Sequence, residues 1–149
     1  MAADTRPDKV AKPTMIGGFP SKEGGTYVDS FEVVDGGVPF PGWGAFEGPD
    51  SADFDAEARR AFESRAVAFP EAVTTGIVGY THHHCFAVPV TLVCPELSST
   101  QAAEWVRSGQ LPEIAGAKHV DYVDIDSGHW PMLARPVELA RVLAEIADA

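Results

Sequence analysis

The feature that most constrains the fold is a continuous apolar and β-branched run over residues 88–94, Val-Pro-Val-Thr-Leu-Val-Cys. Such a run is typical of a strand buried on both faces of a parallel sheet, because a strand with one solvated face would alternate apolar and polar residues. Weaker strands are predicted over residues 12–18 and from Lys118 to Asp126. The apolar alternation of the second is interrupted once, which favours an outer strand or a bulge over a central strand. Helices and long connections separate these strands, so we expect an α/β fold with a short parallel sheet.

Three helices are predicted beside these strands. Ser51 or Asp53 is expected to cap a helix that runs to about residue 66, because carboxylates follow in its first turn and apolar residues recur three and four apart. Ser99 is expected to cap a second helix over residues 100–107. Pro136 is expected to begin a C-terminal helix whose apolar stripe covers the sheet.

Residues 19–52 are so rich in glycine and proline that long regular elements are not expected there. A connection of this length in a compact domain is typical of a lid or binding loop, and three embedded aromatic residues favour a lid over a solvated linker. Phe40, Trp43 and Phe46 are expected either to pack within the lid or to line an apolar substrate pocket.

Composition excludes several classes of function. The chain has 149 residues, the size of one domain, and its 11 Lys and Arg against 22 Asp and Glu give a net charge of -11. Such a charge repels phosphate backbones and anionic lipid, so neither nucleic acid nor a membrane is an expected partner. There is no apolar run of roughly 20 residues, no apolar N-terminal signal and no Cys-x-x-Cys pair, which together favour a cytoplasmic protein.

The chemistry is expected at the carboxyl ends of two neighbouring strands. Glu96 comes directly after the buried strand, and His129 lies in a turn after the strand that ends near Asp126. Parallel strands bring such residues to one edge of the sheet, where a carboxylate can orient an imidazole that acts as a base. The alternatives are a surface histidine without a task and a solvated or helix-capping Glu96. Trp130 is expected to pack beneath the histidine loop and is counted with the predicted substrate-binding aromatics.

Two segments carry a resemblance to a known family: Val88-Pro-Val-Thr-Leu-Val-Cys-Pro-Glu-Leu, and the later Asp124-Ile-Asp-Ser-Gly-His-Trp-Pro-Met-Leu-Ala-Arg-Pro. They resemble the C-terminal part of an α/β-hydrolase, closest to esterase-like members with a helical lid. The resemblance implies a partial α/β-hydrolase fold: residues 1–18 form the end of a helix and an edge strand, 19–87 the lid, and 88–149 the last two strands and helices.

By position in the resemblance, His129 matches the catalytic histidine and Glu96 the acid of the triad, in the family's chain order of nucleophile, acid and histidine. Asp124 and Asp126 remain rivals for the role of the acid. The implied activity is hydrolysis of a carboxylic ester, or a similar acyl transfer, on a small apolar or ester-like molecule without a cofactor.

The sequence departs from the family in one large respect, because it contains no Gly-x-Ser-x-Gly nucleophile elbow. The donors of the oxyanion hole are missing with it. The serines that lack this context are Ser21, Ser30, Ser51, Ser64, Ser98, Ser99, Ser108 and Ser127. We therefore expect the second half of a hydrolase that does not catalyse ester hydrolysis alone. The alternative is a noncatalytic small-ligand binding or interaction protein derived from the same fold.

Two further expectations concern a run of histidines and the edge of the predicted sheet. His82, His83 and His84 precede Cys85, but adjacent residues of an extended segment point in opposite directions and cannot all ligate one ion, so no metal site is expected. The strand at 12–18 is expected to leave an open edge, so that the chain is either poorly stable or self-associates through that edge. A cooperatively folded monomer in sedimentation analysis would contradict both.

Overall fold

The structure is a computed structural model that describes residues 2–27, 30–80 and 87–149. Its strands are β1 (Thr14–Ile16), β2 (Gly37–Val38), β3 (Phe69–Pro70), β4 (Val90–Cys94) and β5 (Val120–Asp124). Its α-helices are α1 (Ala2–Thr5), α2 (Ala56–Glu63), α3 (Glu71–Thr74), α4 (Ser99–Arg107), α5 (Pro112–Ala115), α6 (Pro131–Ala134) and α7 (Pro136–Asp148). Short 3-10 turns lie at Pro7–Lys9, Trp43–Phe46 and Pro49–Ser51.

The main sheet has three parallel strands in the order β1-β4-β5. All five residues of β4 are buried, which confirms the central position predicted from its β-branched run. β5 is an outer strand, as its interrupted alternation predicted, and α7 begins at Pro136 as expected. The described chain is thus a mixed α/β fold with a parallel sheet and flanking helices.

The side chains of β4 pack into two hydrophobic cores, because successive residues of a strand point to opposite faces of the sheet. Val90, Leu92 and Cys94 pack on one face against Ala102 of α4 and Ile114 of α5. Val93 packs on the other face with Ile125 and with Leu139 of α7. The sheet is therefore covered on both sides, and the loops at its carboxyl edge are anchored by two buried layers.

The predicted helix caps need correction. The cap of α4 is Ser98, one residue before the predicted Ser99, and it forms a reciprocal capping box with Gln101. The cap of α2 is Asp55, whose carboxylate accepts from two backbone N–H groups. Ser51 does not cap α2, because its hydroxyl donates to the Phe46 carbonyl at 2.6 Å within the preceding turns.

The chain divides into two compact units. The first, here called the sheet unit, comprises residues 1–20 and 80–149; the second, here called the insert unit, comprises residues 21–79. The insert unit lies wholly within the segment predicted as a lid.

The insert unit has its own local organisation. β2 and β3 pair antiparallel. The turn before β2 holds Asp35 at φ 51° and Gly36 at φ 78°, the left-handed conformations that a tight two-residue hairpin turn needs. Reciprocal backbone bonds between Val34 and Gly37 close that turn.

Within the described residues, no helix is both long enough and apolar enough to cross a bilayer. The predicted run His82, His83, His84 and Cys85 lies outside the described residues. β1 is an edge strand of the described sheet, and self-association through it stays a prediction.

Candidate functional site

The candidate site lies at the carboxyl edge of the sheet unit. The last register pair of β4 and β5 is Cys94 with Asp124, and the Ile125 amide donates to the Cys94 carbonyl at 3.2 Å. The chain after β4 reaches Glu96 within two residues, and the turn after β5 carries His129 before α6 begins at Pro131. Both side chains therefore start from the same edge of the sheet.

Glu96 and His129 contact each other. His129 Nδ1 and Glu96 Oε1 are 3.1 Å apart, within hydrogen-bond distance. The histidine side chain is 37% exposed and the glutamate side chain 16% exposed. In the tautomer that donates from Nδ1, Nε2 is the proton acceptor, which is the arrangement a general base requires.

The carboxylates that were rivals to Glu96 have other roles. Asp124 accepts from the Ser99 amide at 2.6 Å and from the Ser99 hydroxyl at 2.7 Å. Its negative charge thus lies at the N-terminus of α4, where the helix dipole favours an anion. Asp126 is exposed, and its backbone carbonyl accepts from Arg135 Nε at 3.1 Å. Of these three carboxylates, Glu96 is the one seen bonded to His129.

The histidine turn is held from both ends. The Ser127 amide donates to the Ile125 carbonyl at 2.9 Å, and the guanidinium of Arg135 holds the Asp126 carbonyl. After the turn, the amides of Leu133 and Ala134 donate to the Trp130 carbonyl. These bonds fix the backbone on either side of His129.

Trp130 contacts the imidazole directly. The two ring centroids are 5.0 Å apart and the rings are nearly perpendicular, at 89°. An edge-to-face contact of this kind restricts the rotation of the imidazole. The structure therefore places Trp130 beside the histidine ring, and its part in binding a substrate stays a prediction.

The other predicted binding aromatics lie in the insert unit, where they pack on one another. Phe40 stacks on Phe46 at a centroid distance of 5.7 Å and meets Trp43 at 5.2 Å. Phe62 of α2 lies 5.1 Å from Phe40 and 5.2 Å from Trp43. This packing fits the first of the two expectations, a core for the lid segment itself.

Arg59 of α2 packs against this aromatic cluster and bonds to the turns around it. Its guanidinium lies 5.0 Å from the centroid of a Trp43 ring, a cation–π contact. It also donates to the Ser51 carbonyl and hydroxyl and to the Phe54 carbonyl. The role of Arg59 was not predicted from the sequence, although an arginine on a helix beside an aromatic-rich turn is a recognisable signal of a cation–π contact.

Cys94 is unsuited to replace the missing serine. Its thiol is free and its residue is 3% exposed at the end of β4. Burial, with a smaller contribution from the negative charges of Asp124 and Glu96, raises the pKa of the Cys94 thiol to about 11. The thiol is therefore protonated at neutral pH, and the thiolate is the nucleophilic form.

Several serine hydroxyls in the described residues donate to nearby backbone carbonyls. Ser127, two residues before His129, donates to the Gly128 carbonyl at 3.0 Å. Other hydroxyls that donate to nearby carbonyls are those of Ser51, Ser64 and Ser108. None of these bonds is the serine-to-imidazole bond of a triad.

The part of the chain that the structure describes contains no group of three or more His, Cys, Asp or Glu side chains arranged to hold a metal ion. Comparison with known proteins found no match to a family model and none to a curated protein sequence.

Proposed function

We propose that this chain derives from the α/β-hydrolase fold and that His129 and Glu96 are the base and the orienting acid of an acyl-transfer hydrolase. The substrate class is a carboxylic ester or a similar acyl compound. The observation that carries the proposal is the 3.1 Å contact between His129 Nδ1 and Glu96 Oε1 at the carboxyl edge of a parallel sheet.

The placement of the two residues supports the proposal. Ligands of open α/β sheets bind outside the carboxyl ends of the strands, where Glu96 follows β4 and His129 follows β5. A hydrogen bond between residues close in the sequence can form without tertiary structure. This one joins residues 33 positions apart and therefore depends on the fold. The resemblance of the segments around both residues to the family's acid and histidine loops points the same way.

The chemistry of the pair follows from its geometry. Glu96 accepts a hydrogen bond from Nδ1–H, which leaves Nε2 unprotonated. Nε2 can then take a proton from the nucleophile, and the negative carboxylate stabilises the imidazolium that forms. Nε2 later gives that proton to the leaving alcohol. A complete triad would use a serine hydroxyl as nucleophile, and the sequence contains no Gly-x-Ser-x-Gly turn to present one.

The test is hydrolysis of a chromogenic short-chain ester such as p-nitrophenyl acetate. Turnover through a serine acyl-enzyme is not expected of this chain alone. His129 can still deprotonate water that attacks the ester carbonyl, so slow release of p-nitrophenolate above the buffer rate is the result that supports the proposal. His129→Ala should reduce this release to the buffer rate, and His119→Ala is the matched control that should retain it. A serine-directed phosphonate reagent should leave the rate unchanged.

The same assay separates the alternative, a noncatalytic small-ligand binding protein. This alternative rests on the aromatic composition of the insert unit, because aromatic side chains line most small-molecule sites, although here the rings pack on one another. Saturable binding of the ester, with equal release by the wild type and His129→Ala, would replace the hydrolase proposal with this one.

A further inference from the structure

One residue beside the pair has a conformation and a position that a side chain would disturb. Gly17 follows β1 directly and has φ +57°, in the left-handed region that favours glycine. Its amide donates to the Val93 carbonyl at 3.1 Å, which extends the pairing of β1 with β4. The chain then leaves the sheet at the edge where Glu96 and His129 meet.

Gly17 lies against both members of the pair. A Cβ at this position would be 3.1 Å from Pro95 Cγ, 3.3 Å from the His129 carbonyl oxygen and 3.5 Å from Glu96 Oε2. The first two distances are shorter than ordinary contacts to a Cβ, and both involve groups that the chain holds in place. The pyrrolidine ring of Pro95 restricts the backbone directly before Glu96.

The second carboxylate oxygen of Glu96 depends on this packing. Glu96 Oε2 is buried and has no hydrogen-bond partner within the described residues. No hydrogen bond to Oε2 thus fixes the rotation of the carboxylate there. The carboxylate is held by the hydrogen bond that Oε1 accepts from His129 Nδ1, and the space beside Oε2 is the space that a Cβ on Gly17 would enter, at 3.5 Å.

We infer that Gly17 is a positioning residue for the Glu96–His129 pair: its lack of a side chain lets three loops close on one another, so that the carboxylate is held against Nδ1. That this positioning serves catalysis rests on the proposed function. Gly17 itself touches neither substrate nor a reacting atom, and it acts through Glu96.

The test reads the imidazole tautomer by ¹⁵N NMR of the full chain, at a pH at which the ring is neutral. The chain has five histidines, so the His129 signals are assigned by their loss in His129→Ala. In the wild type, the proton should reside on Nδ1, because Glu96 Oε1 accepts a hydrogen bond from Nδ1–H. Glu96→Ala gives the reference for a lost pair.

Gly17→Ala should lower the ratio of the Nδ1–H to the Nε2–H tautomer about tenfold, the change expected when a hydrogen bond to a charged group is lost. Gly18→Ala is the matched control. Gly18 is the next residue and its φ lies outside the left-handed region. Among the described residues, a Cβ there would meet only the Ile16 carbonyl within 4 Å, at 3.9 Å. Its tautomer ratio should equal that of the wild type.

A folded Gly17→Ala variant with the wild-type ratio would overturn the inference. If Gly17→Ala does not fold, Gly17→Ala in a Pro95→Ala background replaces it, because that change removes the shortest contact. A ratio below that of Pro95→Ala alone supports the inference, and an equal ratio contradicts it. The readout does not use ester turnover, so a failed hydrolase proposal and a failed positioning role give different results.

Discussion

The described residues include two histidine–carboxylate pairs of nearly equal length and different origin. His129 Nδ1 lies 3.1 Å from Glu96 Oε1, and His119 Nε2 lies 2.9 Å from Asp121 Oδ1. The first pair joins residues 33 apart and the second residues two apart. The side chains of the second pair are also more exposed, 67% and 42% against 37% and 16%.

A short distance between an imidazole nitrogen and a carboxylate oxygen is therefore not enough to make the histidine a general base. Water competes for an exposed pair, whose contribution is typically about 0–1 kcal/mol. Asp121 also lies 3.6 Å from Lys12 Nζ, so the lysine ammonium competes with His119 for its carboxylate. Glu96 is mostly buried, and the fold brings it to His129, so its charge acts on Nδ1 with less screening.

The largest expected effect is on the reactivity of the two imidazoles toward diethyl pyrocarbonate, at a pH at which both are neutral. Glu96→Gln should slow modification of His129 by about tenfold or more, because a hydrogen bond to a charged group is worth about 1.5–3 kcal/mol. Asp121→Asn should change modification of His119 less than about fivefold, as expected of an exposed pair. Peptide mass spectrometry locates each product, and equal changes at both sites would remove the distinction between the pairs.

An intermediate effect is expected on the free energy of unfolding, measured with urea. His129→Ala leaves the mostly buried Glu96 carboxylate without its partner and should destabilise the fold by about 1–2 kcal/mol. His119→Ala leaves an exposed Asp121 near Lys12 and should change stability by less than about 0.5 kcal/mol. The double variant Glu96→Gln with His129→Ala should recover part of the first loss. Equal destabilisation by the two single variants would show that burial does not separate the pairs.

The smallest expected effect is on the Cys94 thiol. Its pKa is raised to about 11 by burial, which is the largest cause, and by the negative charges of Asp124 and then Glu96. Glu96→Gln should lower this pKa by a fraction of a unit and Asp121→Asn should leave it unchanged, as read from the pH dependence of alkylation of the folded protein.

The same raised pKa makes stability depend on alkaline pH. The ordinary thiol pKa is 9.0, so the unfolded chain ionises first; the contribution of Cys94 is complete below pH 9.0 and is lost as pH rises to about 11. Cys94→Ala should flatten the fall of the urea midpoint over this range. An unchanged slope would mean that other groups, among them Tyr122 with its pKa raised by burial, account for the whole of it.

Sequence analysis predicted the sheet better than the helix ends. The β-branched run gave the central strand correctly, because burial on both faces selects apolar residues at every position. Helix caps were displaced, from Ser99 to Ser98 and from Ser51 or Asp53 to Asp55. Several polar residues stand in a row at each start, and the cap is chosen by which side chain reaches the amides of the first turn.

By itself, the sequence determined the order of the strands along the chain, the burial of β4 and the placement of Glu96 and His129 after neighbouring strands. It could do so because these follow from local patterns of apolar and turn residues. Only the tertiary structure decided that Glu96 bonds to His129 while Asp124 caps α4, and that Gly17 closes against the pair. Those choices depend on contacts between residues far apart in the chain, whose distances and directions no local pattern encodes.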